Sequence, residues 1–99
     1  MNDLAVKILV YSRYNNVAKY LWNIALECGD TLFLINDDSG CRNVYPDFPN
    51  VKVYYSNNIG HDASYYSLLE KRSESFYSYI ISDGVILDKA LINCILRRI

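Results

Sequence analysis

Apolar residues run almost without a break from Ala5 to Tyr11 (A-V-K-I-L-V-Y) and again from Thr31 to Ile35 (T-L-F-L-I). Short runs without alternation predict strands covered on both faces, as in a parallel sheet. Between them, Val17, Leu21, Ile24, Ala25 and Cys28 recur at helical spacing and predict one buried helix face. Asn15 or Asn16 opens that helix and Gly29 closes it. Val51 to Ser56 alternates, with Val51, Val53 and Tyr55 on one side, which suits a strand at a sheet edge.

His61 to Arg72 predicts a second helix with Ala63, Tyr66, Leu68 and Leu69 turned inward. Phe76 to Ile81 predicts a fourth strand, continued past a kink by Val85 to Leu87. Asp88 then caps a last helix running to Ile99, with a wide apolar band of Leu91, Ile92, Ile95, Leu96 and Ile99. The stretch before Asn50, broken by Pro46 and Pro49, reads as an irregular connection with room for a short helical turn.

Strands alternating with helices predict an α/β fold. The expected architecture has three layers: a mainly parallel sheet of about four strands with helices on both faces, a small Rossmann-like arrangement. Right-handed crossovers leave few topologies. A chain of 99 residues is expected to form a single domain over residues 1–99. A domain this small hides only about 60–70% of its unfolded surface. The apolar share of 52% and the ten tyrosines answer that need, so most tyrosines are expected to pack.

A net charge of −1 with scattered cations argues against a polyanion-binding surface, so no nucleic-acid partner is expected. The pairs Lys71-Arg72 and Arg97-Arg98 read as cations at helix carboxyl ends. Cys28, Cys41 and Cys94 show no metal-ligand spacing and are expected as reduced thiols, Cys28 and Cys94 in the core, in a cytoplasmic protein. No signal peptide or membrane-spanning segment is read in the chain.

Every strand ends in a polar cluster: Ser12 to Asn16, Asn36 to Gly40, Asn57 to Asp62 and Ser82 to Gly84. Ligands of open parallel sheets bind beyond the carboxyl ends of the strands, near a switch in strand order. The clusters are therefore expected to converge on one rim. No glycine-rich phosphate loop of the dinucleotide or P-loop kind is present, so a diphosphate there would need a metal or side-chain donors.

The order and content of these segments resemble the donor-binding part of GT-A glycosyltransferases, in particular the large inverting group called family two. V-K-I-L-V-Y-S-R-Y-N resembles that family's opening strand and base-holding loop, where Ser12 lies. F-L-I-N-D-D-S-G is similar to its D-D-x-S segment, so Asp37 or Asp38 would contact the nucleoside. In P-N-V-K-V-Y-Y-S-N-N-I-G-H-D-A-S, Asn58 and Gly60 match the N-x-G loop. S-Y-I-I-S-D-G-V-I-L-D resembles the strand bearing the D-x-D metal motif, with Asp83 as its one surviving aspartate.

The resemblance implies a nucleoside-diphosphate sugar, UDP-linked before others, with Asp83 orienting the diphosphate either directly or through Mg²⁺ or Mn²⁺. Transfer to an acceptor hydroxyl would follow. The family's later, acceptor-binding segment has no counterpart here, so acceptor recognition is expected from a partner, a second copy of the chain or the open cleft itself. Asp62 and His61, on the same rim, are the weak candidates for a catalytic base. The alternative is a non-catalytic module of the same fold that binds a nucleotide or a protein.

Overall fold

Seven consecutive residues of the first strand and seven of the second are buried, which only a central position in a doubly covered sheet allows. A computed structural model, which describes residues 3–13, 15–72 and 74–98, has this arrangement. Strand β1 is Leu4–Val10, helix α1 Val17–Ile24, β2 Thr31–Asp37, β3 Val51–Tyr55, helix α2 His61–Glu70, β4 Tyr77–Ser82 and helix α3 Lys89–Arg97. The four strands are ordered β3-β2-β1-β4, and every pair is parallel. The expected α/β sheet is thus present, with β3 at an edge.

Alternation divides the sheet into two unequal faces. Val6, Ile8 and Val10 of β1 and Phe33 and Ile35 of β2 form the larger core. Val17, Leu21 and Ile24 of α1 and Ile92 and Ile95 of α3 pack on them. Each such side chain contributes roughly 1.5–3 kcal/mol on burial. Ala5, Leu32 and Leu34 point the other way, where α2 lies. Lys7, also on that face, is buried and donates from Nζ to the Lys71 carbonyl at 3.2 Å, at the carboxyl end of α2. A cation suits that end of a helix dipole.

Several expectations need correction. On α2 only Ser64 and Leu68 are buried, whereas Ala63, Tyr66 and Leu69 are exposed. The residues four apart define the inward face, and a serine in the contact lets the helix sit close to the sheet. The connection to Asn50 holds no helical turn. Val85 to Leu87 does not extend β4, because the chain turns at Asp83-Gly84 with Val85 N bonded to Ser82 O.

Helix α1 stops at Ile24 and gives way to turns up to Asp30, with Cys28 N still bonded to Ile24 O. Asn15 Oδ1 accepts from Val17 N at 3.0 Å, so Asn15 rather than Asn16 serves the helix start. Asp88 caps α3 as expected, accepting from Leu91 N at 2.8 Å. Its apolar band is only partly covered: Ile92 and Ile95 are buried, Leu96 is exposed and Ile99 lies outside the described residues. Cys94 is half-buried rather than core, and no cysteine is paired. Tyrosines 55, 65, 66, 77 and 79 are exposed, whereas Tyr45 is buried and Tyr11, Tyr20 and Tyr54 are half-buried, so about half of the described tyrosines pack. Among the described residues no helix is long and apolar enough to cross a membrane.

One polar residue carries much of the packing between α1 and β2. Asn50 is buried, and its Nδ2 reaches the carbonyls of Ala25, Cys28 and Thr31 at 2.8, 3.1 and 3.0 Å. The Ala25 carbonyl is one that the end of α1 leaves open, the Cys28 carbonyl also accepts from Thr31 N at 2.9 Å, and Thr31 opens β2. The Asn50 carbonyl in turn accepts from Phe33 N at 2.8 Å.

Candidate functional site

Asp37 and Asp38 are neighbours at the end of β2, and strand alternation sends them to opposite sides of the sheet. Asp37 turns toward the 39–45 segment. Its Oδ1 accepts from Ser39 N and Ser39 Oγ, and its Oδ2 accepts from Asn43 N, Asn43 Nδ2 and Tyr45 OH. It is 1% exposed, and this set of donors builds the loop. Burial alone would raise its pKa, but the donors, Ser39 and Tyr45 foremost, outweigh burial and hold the carboxyl below its ordinary value. Burial and the Asp37 carboxylate together push the Tyr45 phenol up.

Asp38 turns toward α2. Oδ1 accepts from Ser56 Oγ at 2.7 Å and Ile59 N at 2.9 Å, and Oδ2 from Gly60 N at 3.1 Å. Gly60 precedes α2 with φ +105°, a backbone state that favours glycine, and no side chain caps that helix. Asp38 therefore places its charge at the positive end of α2, joined by Asp62 in the first turn. It is 3% exposed. Burial raises its pKa, and the Ser56, Ile59 and Gly60 donors more than reverse that, so it too lies below the ordinary carboxylate value. Asn58 sits in the left-handed region at φ 54°, with its N–H on the Asp38 carbonyl.

Asp83 occupies the switch point. The crossovers from β1 and β3 leave toward opposite sides, so the sheet opens between the ends of β1 and β4. There Asp83 Oδ2 accepts from Tyr11 N at 3.0 Å and Ser12 N at 2.9 Å. Asp83 is half-buried, and its Oδ1 has no hydrogen bond among the described residues. A pair of successive amides pointing at one oxygen is an anion-binding arrangement, here filled by the protein's own carboxylate.

Tyr11 joins these parts. Its ring stacks on His61 with centroids 4.6 Å apart and an interplanar angle of 21°. Its hydroxyl is buried and has no hydrogen bond among the described residues. Burial raises its pKa, and the charges of Asp83, Asp38 and Asp62 raise it further. Three carboxylates thus act on one phenol. Ser12, Asp38, Gly60, His61, Asp62 and Asp83 gather around Tyr11, while the Asp37 carboxylate belongs to the neighbouring loop. Beside them, at the end of β3, an open recess of about 270 Å³ is lined by Gly40, Arg42, Tyr55, Ser56 and Asn57. Arg42 lies 4.2 Å from the Tyr55 ring centroid.

Among the described residues, no cluster of three or more His, Cys, Asp or Glu side chains is placed to hold a metal ion. The donor set nevertheless offers one carboxylate oxygen, Asp83 Oδ1, at the crevice. A Mg²⁺ ion commonly takes one or two carboxylates and completes its shell with phosphate oxygens and water. The residues therefore fit a cation that arrives with a diphosphate, rather than one held by the protein alone.

Tyr11, Tyr45, Asn43 and Asn50 are site or frame residues that the sequence did not single out. For Tyr11 the available signal was an aromatic ring at the carboxyl end of a buried strand. The chain matches no protein-family model, no curated protein and no solved structure.

Proposed function

We propose that the carboxyl rim binds a nucleoside-diphosphate sugar, UDP-linked before others, and that the chain is a compact GT-A-like glycosyltransferase. The observation that carries the proposal is Asp83, fixed by the Tyr11 and Ser12 amides at the switch between β1 and β4, with its Oδ1 unbonded among the described residues. In this reading the Tyr11-Ser12 turn and the Asn58 to Gly60 loop border the nucleoside. Asp38 holds that loop from beneath by its bonds to Ile59 N and Gly60 N. Asp37 acts through the 39–45 segment rather than by touching the ligand.

The rim is acidic, so a bare diphosphate would be repelled by Asp38, Asp62 and Asp83. Binding then requires Mg²⁺ or Mn²⁺, with Asp83 Oδ1 as the protein ligand. When bound, the ion supplies Lewis-acid stabilisation of charge on the leaving diphosphate. Transfer makes a bond from the acceptor oxygen to the anomeric carbon and breaks the bond to the diphosphate, which leaves with the electron pair. The acceptor proton goes to Asp62 or His61, the titratable groups at the start of α2.

A second reading, nucleotide binding without turnover, is favoured by one feature. Asp83 is the only aspartate in the Ser82-Asp83-Gly84 turn, where the family places two carboxylates.

The test is a calorimetric titration of UDP, UDP-sugars and GDP-sugars with and without Mn²⁺, followed by assay of sugar release. Cation-dependent UDP-sugar binding with release or transfer supports the first reading. Binding without either supports the second. No binding of any nucleotide overturns both.

A further inference from the structure

The two edges of the sheet differ in how they meet solvent. At one edge, β3 carries a charge at Lys52, and beyond its end Asn57 makes an antiparallel bridge to Ser39. The 41–43 segment lies over it, with Tyr55 OH on the Asn43 carbonyl at 2.8 Å and Arg42 across the Tyr55 ring. Charge and cover are the usual protections of an edge strand. At the other edge, β4 (Y-S-Y-I-I-S) has no charged residue and no proline.

Among the described residues, the side of β4 turned away from β1 pairs with no strand. Tyr77 N donates to Asp3 O, so Tyr77, Tyr79 and Ile81 turn their main-chain groups toward β1. By alternation, Ser78 and Ile80 turn theirs outward. Above that edge, on the α3 side, an apolar recess of about 470 Å³ is lined by Leu4, Tyr77, Tyr79, Leu91, Cys94 and Ile95, with Arg98 at its margin. Tyr77 and Tyr79 are 48% and 45% exposed there.

We propose that β4 pairs antiparallel with β4 of a second copy, joining the two sheets into one across a two-fold axis at Tyr79. This register sets Ser78 opposite Ile80 of the other copy, and those residues carry the outward N–H and C=O groups, so each pair exchanges both bonds. Tyr79 then meets Tyr79 at a non-hydrogen-bonded position, where side chains come closest, and Tyr77 meets Ile81 on the same face. The register centred on Ser78 would also pair the tyrosines, Tyr77 with Tyr79, but it sets only residues 77–79 of the two strands against each other, where the Tyr79 register sets residues 77–81.

Charge also agrees. In an antiparallel pair the Asp83 end of one β4 lies beside the Tyr77 end of the other, where Arg98 stands. A net charge of −1 per chain leaves little overall repulsion between copies. The exposed aromatics of α2, Tyr65 and Tyr66, lie on the opposite face and take no part.

The experiment is sedimentation equilibrium of the full chain over a wide concentration range, for the wild type and three variants. The wild type is expected to move between 11.5 kDa and twice that mass as concentration rises. Tyr79→Lys, which sets like charges opposite each other, and Ser78→Pro, which removes an outward N–H, are each expected to weaken association by about tenfold or more. Both variants should keep the wild-type far-ultraviolet spectrum. Tyr66→Lys is expected to associate as the wild type does. A wild type that stays monomeric throughout overturns the proposal. So does a dimer that survives both β4 variants, or one that is lost in Tyr66→Lys.

Discussion

Strands β2 and β4 flank β1 on either side, are parallel to it and end on the same rim, yet they are built for different work. β2 is buried at all seven positions and passes into a loop whose two carboxylates are saturated by internal donors. β4 is exposed or half-buried at every position but Ile81 and leads into Asp83, which bridges two amides through one oxygen while the other has no hydrogen bond among the described residues. Paired carboxylates in a D-D segment attract attention as ligand contacts. Here the burial and internal hydrogen bonds of that pair speak for frame, and the half-buried Asp83 at the switch point is the aspartate on which the proposed ligand contact rests.

The comparison breaks most sharply at the frame. Asn50→Ala removes the donor for three carbonyls in a buried place. It is expected to cost about 2–4 kcal/mol, and thermal unfolding should fall by roughly 8 °C or more. A change of under about 2 °C would show that water replaces the amide without loss.

Next come the β2 carboxylates. Asp37→Asn leaves five donor contacts facing a weaker acceptor and is expected to cost about 1–3 kcal/mol. Asp83→Asn keeps an acceptor for the Tyr11 and Ser12 amides and is expected to cost about 1 kcal/mol or less. Chemical denaturation of the two variants measures the difference, and equal losses would remove the distinction between frame and site.

Acid sharpens the same contrast. Asp37 and Asp38 have folded pKa values below their ordinary one, so their contribution to stability is complete above the ordinary carboxylate value of about 4. It is lost as pH falls from there through the depressed folded values. Unfolding followed from neutral pH downward should show a plateau and then a decline below about pH 4. In Asp38→Asn that decline should be shallower. An unchanged acid limb in Asp38→Asn would contradict the hydrogen-bond account of its lowered pKa. The smallest effect is expected at the exposed Lys89–Glu27 ion pair, 3.5 Å apart, where Glu27→Gln should change stability by less than about 0.5 kcal/mol.

The sheet was legible in the sequence because β1 and β2 are written as unbroken apolar runs, and β3 as an alternating one. The parallel pairing of β1 with β2 followed from the helix between them and that of β4 from α2 before it, whereas β2 and β3 are parallel without a helix between them. The inward face of α2 was not legible, since Tyr66 and Leu69 are more apolar than the Ser64 that is buried in their place. Periodicity reads hydrophobicity, and a close helix–sheet approach selects small size instead. The opposed directions of Asp37 and Asp38 follow from strand alternation, but only once β2 is known to run as far as Asp37. Asn50 and Tyr45 gave no local signal, because their partners are 19 or more and eight positions away in the chain.

The central claim is that Asp83 ties a nucleoside diphosphate to the switch point between β1 and β4. Its most direct test is the titration of UDP with Mn²⁺ into the wild type and Asp83→Asn. The account predicts binding that requires Mn²⁺ in the wild type and weakens by at least about tenfold in Asp83→Asn, while the unfolding temperature of the variant stays near that of the wild type. UDP that fails to bind the wild type, or binds both proteins equally with or without Mn²⁺, would contradict it.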